Sequence, residues 1–110
     1  MLNANRIQGN LTNGKIIHLS KDHTSKKRDY ELTILLRNYE GRIRLEIEEY
    51  DANKIQDEGW YESEEHLKRK EMKFFKTIPE AIDYILKTTI ITEADFPAKY
   101  QQRVSKEAKR

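Results

Sequence analysis

The chain has 110 residues, of which 36% are charged, 36% are hydrophobic and none is cysteine. This length supports a single domain, and the lack of cysteine excludes disulfide scaffolds, thiolate zinc sites and cysteine nucleophiles. A net charge of +2, from 21 basic and 19 acidic residues, is too small for a histone-like polycation. Because no apolar run suits a signal peptide or a membrane span, we expect a cytoplasmic protein with no membrane partner.

The first structural signal along the chain is Asn13-Gly14, a dipeptide typical of a tight type I′ hairpin turn. It separates residues 7–11 from residues 15–19, and we expect a strand over 15–19. The polar stretch over residues 20–28 has no apolar periodicity, which predicts an exposed basic loop.

Within residues 30–50, an aliphatic side chain recurs at every second position over 32–36 and again over 43–47. A turn at residues 38–41 would place Leu36 opposite Ile43, which predicts a hairpin with one wholly aliphatic face. The other face of this hairpin would point to solvent or to a partner and would carry Arg37, Arg42 and Arg44.

Residues 51–65 are acidic and irregular, and we interpret them as a long loop or an extended hairpin tip that contains Trp60 and Tyr61. Two interpretations of Trp60 stay open. Its ring either anchors the loop on the core or is presented for binding. In the second case Trp60 and Tyr61 would suit a basic protein surface, because aromatic anchors dominate the energetics of many interfaces.

The last part of the chain predicts a basic strand, a helix and a tail. Residues 67–76 alternate weakly and are rich in lysine and arginine, and Thr77-Ile78-Pro79-Glu80 is a capping-box pattern that predicts a helix over 78–87. A basic helix or tail over about 97–106 lies within a C-terminal extension, residues 89–110. The chain is therefore predicted to be one α+β domain over 1–110, with a four- to five-stranded antiparallel sheet and the capped helix on its apolar face.

This order of strands followed by one capped helix, over about residues 15–88, is similar in topology to the small single-strand-binding folds of the Whirly and PUR type. The resemblance is one of architecture and carries no motif residues across. It implies a sheet that binds single-stranded nucleic acid.

Catalytic chemistry finds little support in the sequence. His18, His23 and His66 occur in dissimilar surroundings, and there is no phosphate-binding loop or nucleophile elbow. A solvated strand edge explains the acidic residues Glu46, Glu48, Glu49 and Asp51 better than a magnesium site does. We therefore predict a non-enzymatic protein with no metal site and no cofactor.

Binding of single-stranded nucleic acid has a stronger physical case, because such proteins combine cations that neutralise phosphates with rings on which bases stack. Phe75 would stack on a base if it shares the outer face with the arginines, and otherwise it fills the core. The residues predicted to contact nucleic acid are Arg42, Arg44, Lys68, Arg69, Lys73 and Phe75.

The competing hypothesis is a protein-interaction or inhibitor module, of the kind that phages and mobile elements encode, that uses Trp60 and Tyr61. Its partner would be a protein. A small sheet with exposed edges also predicts a homodimer.

Overall fold

A computed structural model describes residues 2–52 and 67–101. Its four strands form one antiparallel sheet in chain order, which confirms the predicted α+β class. In the described part of the chain, neither helix has the length and apolarity to cross a membrane. The elements are α1 (Ala4–Thr12), β1 (Ile17–Ser25), β2 (Arg28–Tyr39), β3 (Arg42–Asp51), β4 (Leu67–Phe75) and α2 (Ile78–Thr88).

The hairpin predicted at Asn13-Gly14 is wrong, because the residues before it form α1. The Asn3 side chain caps this helix by accepting a hydrogen bond from the Arg6 N–H at 3.1 Å. At the other end Gly14 has a φ of +85°, and the N–H groups of Gly14 and Lys15 donate back to carbonyls of the last turn. Asn13-Gly14 thus ends a helix in a Schellman motif, which needs the same left-handed glycine that a hairpin turn needs.

The basic loop predicted over residues 20–28 is also wrong, because most of it belongs to β1. This strand continues to Ser25, and Lys26 and Lys27 make a two-residue turn into β2 with φ values of 52° and 66°. Two consecutive positive φ values are the mark of a type I′ turn. No residue in the sequence indicates this turn, since the left-handed region costs free energy for lysine.

The hairpin of β2 and β3 is confirmed, but its register differs from the prediction by two residues. Glu40 and Gly41 alone form the turn, so Leu36 pairs with Leu45 and not with Ile43. An even shift leaves every side chain on its predicted face. The aliphatic face is therefore preserved in the new register.

The core lies between this aliphatic face, which we call the inner face, and the two helices. The predicted capping box of α2 is present, with the Thr77 hydroxyl accepting from the Glu80 N–H and the Glu80 carboxylate accepting from the Thr77 N–H. Both helices contribute to the same buried cluster as the strands. Its largest fully buried members are Ile7, Leu11, Leu32, Ile34, Leu36, Ile43, Leu45, Ile47, Ile78 and Ile85.

The helix predicted over residues 97–106 is wrong in the part that the structure describes. Two single 3₁₀ turns, Glu93–Asp95 and Ala98–Tyr100, follow α2, and Gln101 is extended and bridges to Leu2. Phe96 and Tyr100 are both buried. Residues 89–101 therefore close one side of the core instead of forming a separate helix.

Candidate nucleic-acid interface

The face of the sheet that points away from both helices, the outer face, gathers arginines and aromatic rings at one end. Residues directly opposite each other in an antiparallel sheet share a face. Arg37 of β2, Arg44 of β3 and Phe74 of β4 form one row, and Tyr39 and Arg42 form the next. We call these five residues the arginine–aromatic patch.

Within the patch, each of two guanidinium groups lies over an aromatic ring. Arg42 Cζ is 4.4 Å from the centroid of the Phe74 ring, and Arg44 Cζ is 5.5 Å from that of Tyr39. Both distances fall within the cation–π range of about 6 Å. The two rings are 5.8 Å apart and tilted by 43°, and Tyr39 is 41% and Phe74 36% exposed. The patch therefore offers solvent both π surface and positive charge.

One carboxylate lies among the arginines of the patch. The Glu46 Oε2 atom is 3.5 Å from Arg44 Nε and 3.9 Å from Arg37 Nε. Neither Nε atom makes a hydrogen bond to another described residue. Two of the three guanidinium groups thus share this carboxylate, and the patch together with Glu46 has a positive balance.

The remainder of the outer face changes in character along the strands. The row next to the patch contains Leu35, Glu46 and Met72, and the 53% exposed Met72 places one apolar side chain beside Phe74 on the same strand. Asp22 lies opposite Glu31 at the far end. The arginines and rings are therefore gathered at one end of the face, and the Asp22–Glu31 pair of carboxylates lies at the other.

Of the six residues predicted to contact nucleic acid, the structure brings Arg42 and Arg44 into the patch. The prediction that Phe75 shares their face is wrong: Phe75 pairs with Ile43 on the inner face, and its ring centroid lies 5.6 Å from that of Tyr84 in α2. Phe74 takes the outer position instead. Alternation in the sequence separated the two phenylalanines but did not show which one faces the helix.

The three basic residues predicted on β4 lie outside the patch. Arg69 Nη1 donates to the Thr88 carbonyl at 2.7 Å, and Lys73 Nζ lies 5.3 Å from the Tyr84 ring centroid, so both contact α2. Lys68 lies beside the irregularity between β3 and β4, with its Nζ 5.4 Å from the Tyr30 ring centroid. Arg69 and Lys73 therefore help to attach the helix to the sheet.

Glu71 joins this attachment through two charge-assisted hydrogen bonds. Arg69 Nε and the Tyr84 hydroxyl each donate to its carboxylate at 2.5 Å. The Arg69 bond first, and the Tyr84 bond second, hold the pKa of Glu71 below its ordinary value, and the same carboxylate raises the pKa of Tyr84 and of Arg69. The Arg69 charge is thus engaged within the fold.

Sequence reasoning missed Tyr39 and Phe74 as candidate contact residues. Tyr39 was placed inside a four-residue turn, whereas continued alternation up to the two-residue turn at Glu40 and Gly41 puts it on the outer face. Continued alternation was therefore the available signal for Tyr39. For Phe74 the only signal was the pairing of β4 with β3, which is a tertiary property.

The acidic residues of β3 do not lie on a strand edge, as the sequence suggested, because β3 is an interior strand. Glu49 Oε2 is 2.5 Å from His23 Nε2, and Asp51 accepts a hydrogen bond from Arg28 Nε at 2.8 Å. Across residues 2–52 and 67–101, no group of three or more His, Asp and Glu is arranged to hold a metal ion.

Trp60, Tyr61 and His66 lie outside the described residues, so the protein-binding hypothesis stays a prediction. Comparisons with known proteins do not bear on the patch either: no family model, no curated protein and no solved structure matches the chain. The topological likeness to the Whirly and PUR folds is therefore also a prediction that no match supports.

Proposed function

We propose that this protein is a non-enzymatic, cytoplasmic protein that binds single-stranded nucleic acid on the arginine–aromatic patch. The observation that carries the proposal is the placement of Arg42 over Phe74 and of Arg44 over Tyr39 on an exposed sheet face. Exposed rings provide stacking surfaces for bases, and guanidinium groups bind phosphates through paired N–H donors. Both requirements meet within one patch.

Single strands suit this surface better than a duplex does. The bases of a duplex are stacked on one another, so rings on a flat sheet can reach only bases that are unpaired. The exposed Met72 side chain adds apolar surface beside the Phe74 ring. The carboxylates of Asp22 and Glu31 repel phosphate at the far end, so we expect the strand to cross the sheet at the patch end.

The numbers of rings and arginines in the patch set the expected affinity for a single strand and its salt dependence. Each stacked base contributes about 1–3 kcal/mol, and two rings are present. Three arginines that each neutralise one phosphate predict a slope of about −2 in log K against log salt for a single strand. Binding should therefore be in the micromolar range and should weaken steeply with salt.

The test is fluorescence anisotropy with labelled single-stranded and double-stranded oligonucleotides, at low and at physiological salt. Arg42→Gln and Phe74→Leu should each weaken single-strand binding about tenfold, since each removes a contact worth roughly 1–2 kcal/mol. Lys87→Gln is the matched charge control, because Lys87 lies on α2 with its side chain 73% exposed and pairs with Asp83. Light scattering on the same samples reports whether the predicted homodimer forms.

Two outcomes would overturn the proposal. One is the absence of single-strand binding at low salt. The other is an equal loss of affinity in Arg42→Gln and Lys87→Gln, which would show that only the overall charge matters and that the patch does not bind the strand.

A further inference from the structure

We propose that the Glu46 carboxylate competes with the nucleic-acid phosphate for Arg37 and Arg44. The carboxylate pairs with both arginines in the free protein, and a phosphate replaces it on binding. This inference rests on the proposed function of the arginine–aromatic patch. It assigns to Glu46 a role in setting the affinity of the patch.

The sheet register places Glu46 where its carboxylate lies close to both Arg37 and Arg44. Arg37 and Arg44 lie directly opposite each other on neighbouring strands, and like charges in such a pair repel. Glu46 lies on the same face of β3, two residues after Arg44, and its Oε2 atom is 3.5 Å from one Nε and 3.9 Å from the other. The carboxylate thus offsets a repulsion that the fold itself creates.

The contact is loose enough to be exchanged. Both Nε atoms are enclosed, yet neither makes a hydrogen bond to Glu46 or to any other described residue. The N–O distances of 3.9 Å and 3.5 Å are also long for charge-assisted contacts, so these two ion pairs are weak. An anion with better geometry can therefore replace the carboxylate at small cost.

A phosphate diester is such an anion. It carries a negative charge and two unbridged oxygens, which can accept parallel N–H bonds from a guanidinium group. When it replaces the carboxylate, Arg37 and Arg44 keep a negative partner, whereas the released Glu46 carboxylate repels the incoming phosphate. The balance of these two effects lowers the affinity of the patch below what three arginines would otherwise provide.

Glu46→Gln removes the charge and retains the shape of the side chain. We expect it to bind a labelled oligothymidylate of about 12 nucleotides about tenfold more tightly than the natural chain, since two weak ion pairs together correspond to about one decade of affinity. Glu46→Thr, which suits a strand, should show the same gain.

Glu48→Gln is the matched control for Glu46→Gln. Glu48 lies two residues farther along the same strand and on the same face, and the change removes the same charge. Its carboxylate accepts a hydrogen bond from the Tyr50 hydroxyl at 3.2 Å and lies opposite Lys70 in the register, away from the patch arginines. Because salt screens this more distant charge, its removal should tighten binding only about twofold.

The comparison of the three proteins separates the two proposals. A gain of about fivefold or more in Glu46→Gln over Glu48→Gln, with clear binding by the natural chain, supports the competitor role. Equal affinities of the two variants, with clear binding by the natural chain, would overturn the competitor role and leave the proposed function intact. No binding by the natural chain at low salt would overturn both.

Discussion

Removal of the Tyr84 hydroxyl should weaken the attachment of α2 to the sheet, and should do so more at neutral pH than in acid. Tyr84→Phe deletes the O–H group that donates to the Glu71 carboxylate at 2.5 Å. It retains the ring, which packs against Phe75 at a centroid distance of 5.6 Å. The change therefore isolates one charge-assisted hydrogen bond between α2 and β4.

The expected loss follows from the surroundings of this bond. A hydrogen bond to a charged group contributes roughly 1.5–3 kcal/mol when it is shielded from solvent. The Glu71 side chain is 28% exposed and keeps its bond to Arg69 in the variant, so no buried charge is left without a partner. We therefore expect the free energy of unfolding to fall by about 1 kcal/mol at pH 7.

The loss of unfolding free energy in Tyr84→Phe should depend on pH with a definite sign. The Arg69 and Tyr84 bonds hold the pKa of Glu71 below its ordinary value of 4.5. A depressed folded pKa contributes stability that is present above pH 4.5 and is lost as the pH falls through the folded value. Tyr84→Phe lacks part of that contribution, so the difference between the variant and the natural chain should shrink as the pH falls below 4.5 and through the folded pKa.

Urea unfolding at pH 7 and at pH 3 measures both free energies. Tyr39→Phe is the control, because it removes a hydroxyl from a side chain that is 41% exposed on the outer face, and it should change stability by less than about 0.5 kcal/mol. A loss in Tyr84→Phe that is no larger than this, or one that is equal at both pH values, would refute the reasoning.

Three further predictions test the parts of the fold that differ from the sequence expectation or define the core. Gly14→Ala should lower the thermal midpoint and cost about 1–2 kcal/mol of stability, because φ is +85° there. Gly9→Ala should raise the midpoint and add about 0.5–1 kcal/mol of stability, because Gly9 lies in the helix interior with open space for an added Cβ. Changes of the same sign in both variants would contradict the α1 assignment. Lys26→Asn combined with Lys27→Gly should stabilise the β1–β2 turn by about 1 kcal/mol in the same assay, and no gain would argue against a type I′ turn. Ile47→Ala should cost about 3 kcal/mol in urea unfolding with an unchanged slope, since Ile47 is fully buried, and a loss below about 1 kcal/mol would place it outside the core.

The sequence by itself determined the elements whose signals are local. The aliphatic residues at every second position over 32–36 and 43–47 predicted the β2–β3 hairpin and the face on which these side chains lie, because a strand places alternate side chains on opposite faces. The capping box at Thr77 and Glu80 established the start of α2, because both hydrogen bonds form within one turn of the chain.

Only the tertiary structure decided the features that depend on which segments meet. Asn13-Gly14 fits a hairpin turn and a helix end equally well by its backbone preference, and the burial of Ile7 and Leu11 in the core favours the helix. Phe74 and Phe75 are neighbours with the same local preference, and the pairing of β4 with β3 beneath α2 sends Phe75 inward and Phe74 outward beside Arg42. The candidate binding patch therefore exists only in the folded sheet, because its members come from three strands and are brought together by long-range pairing.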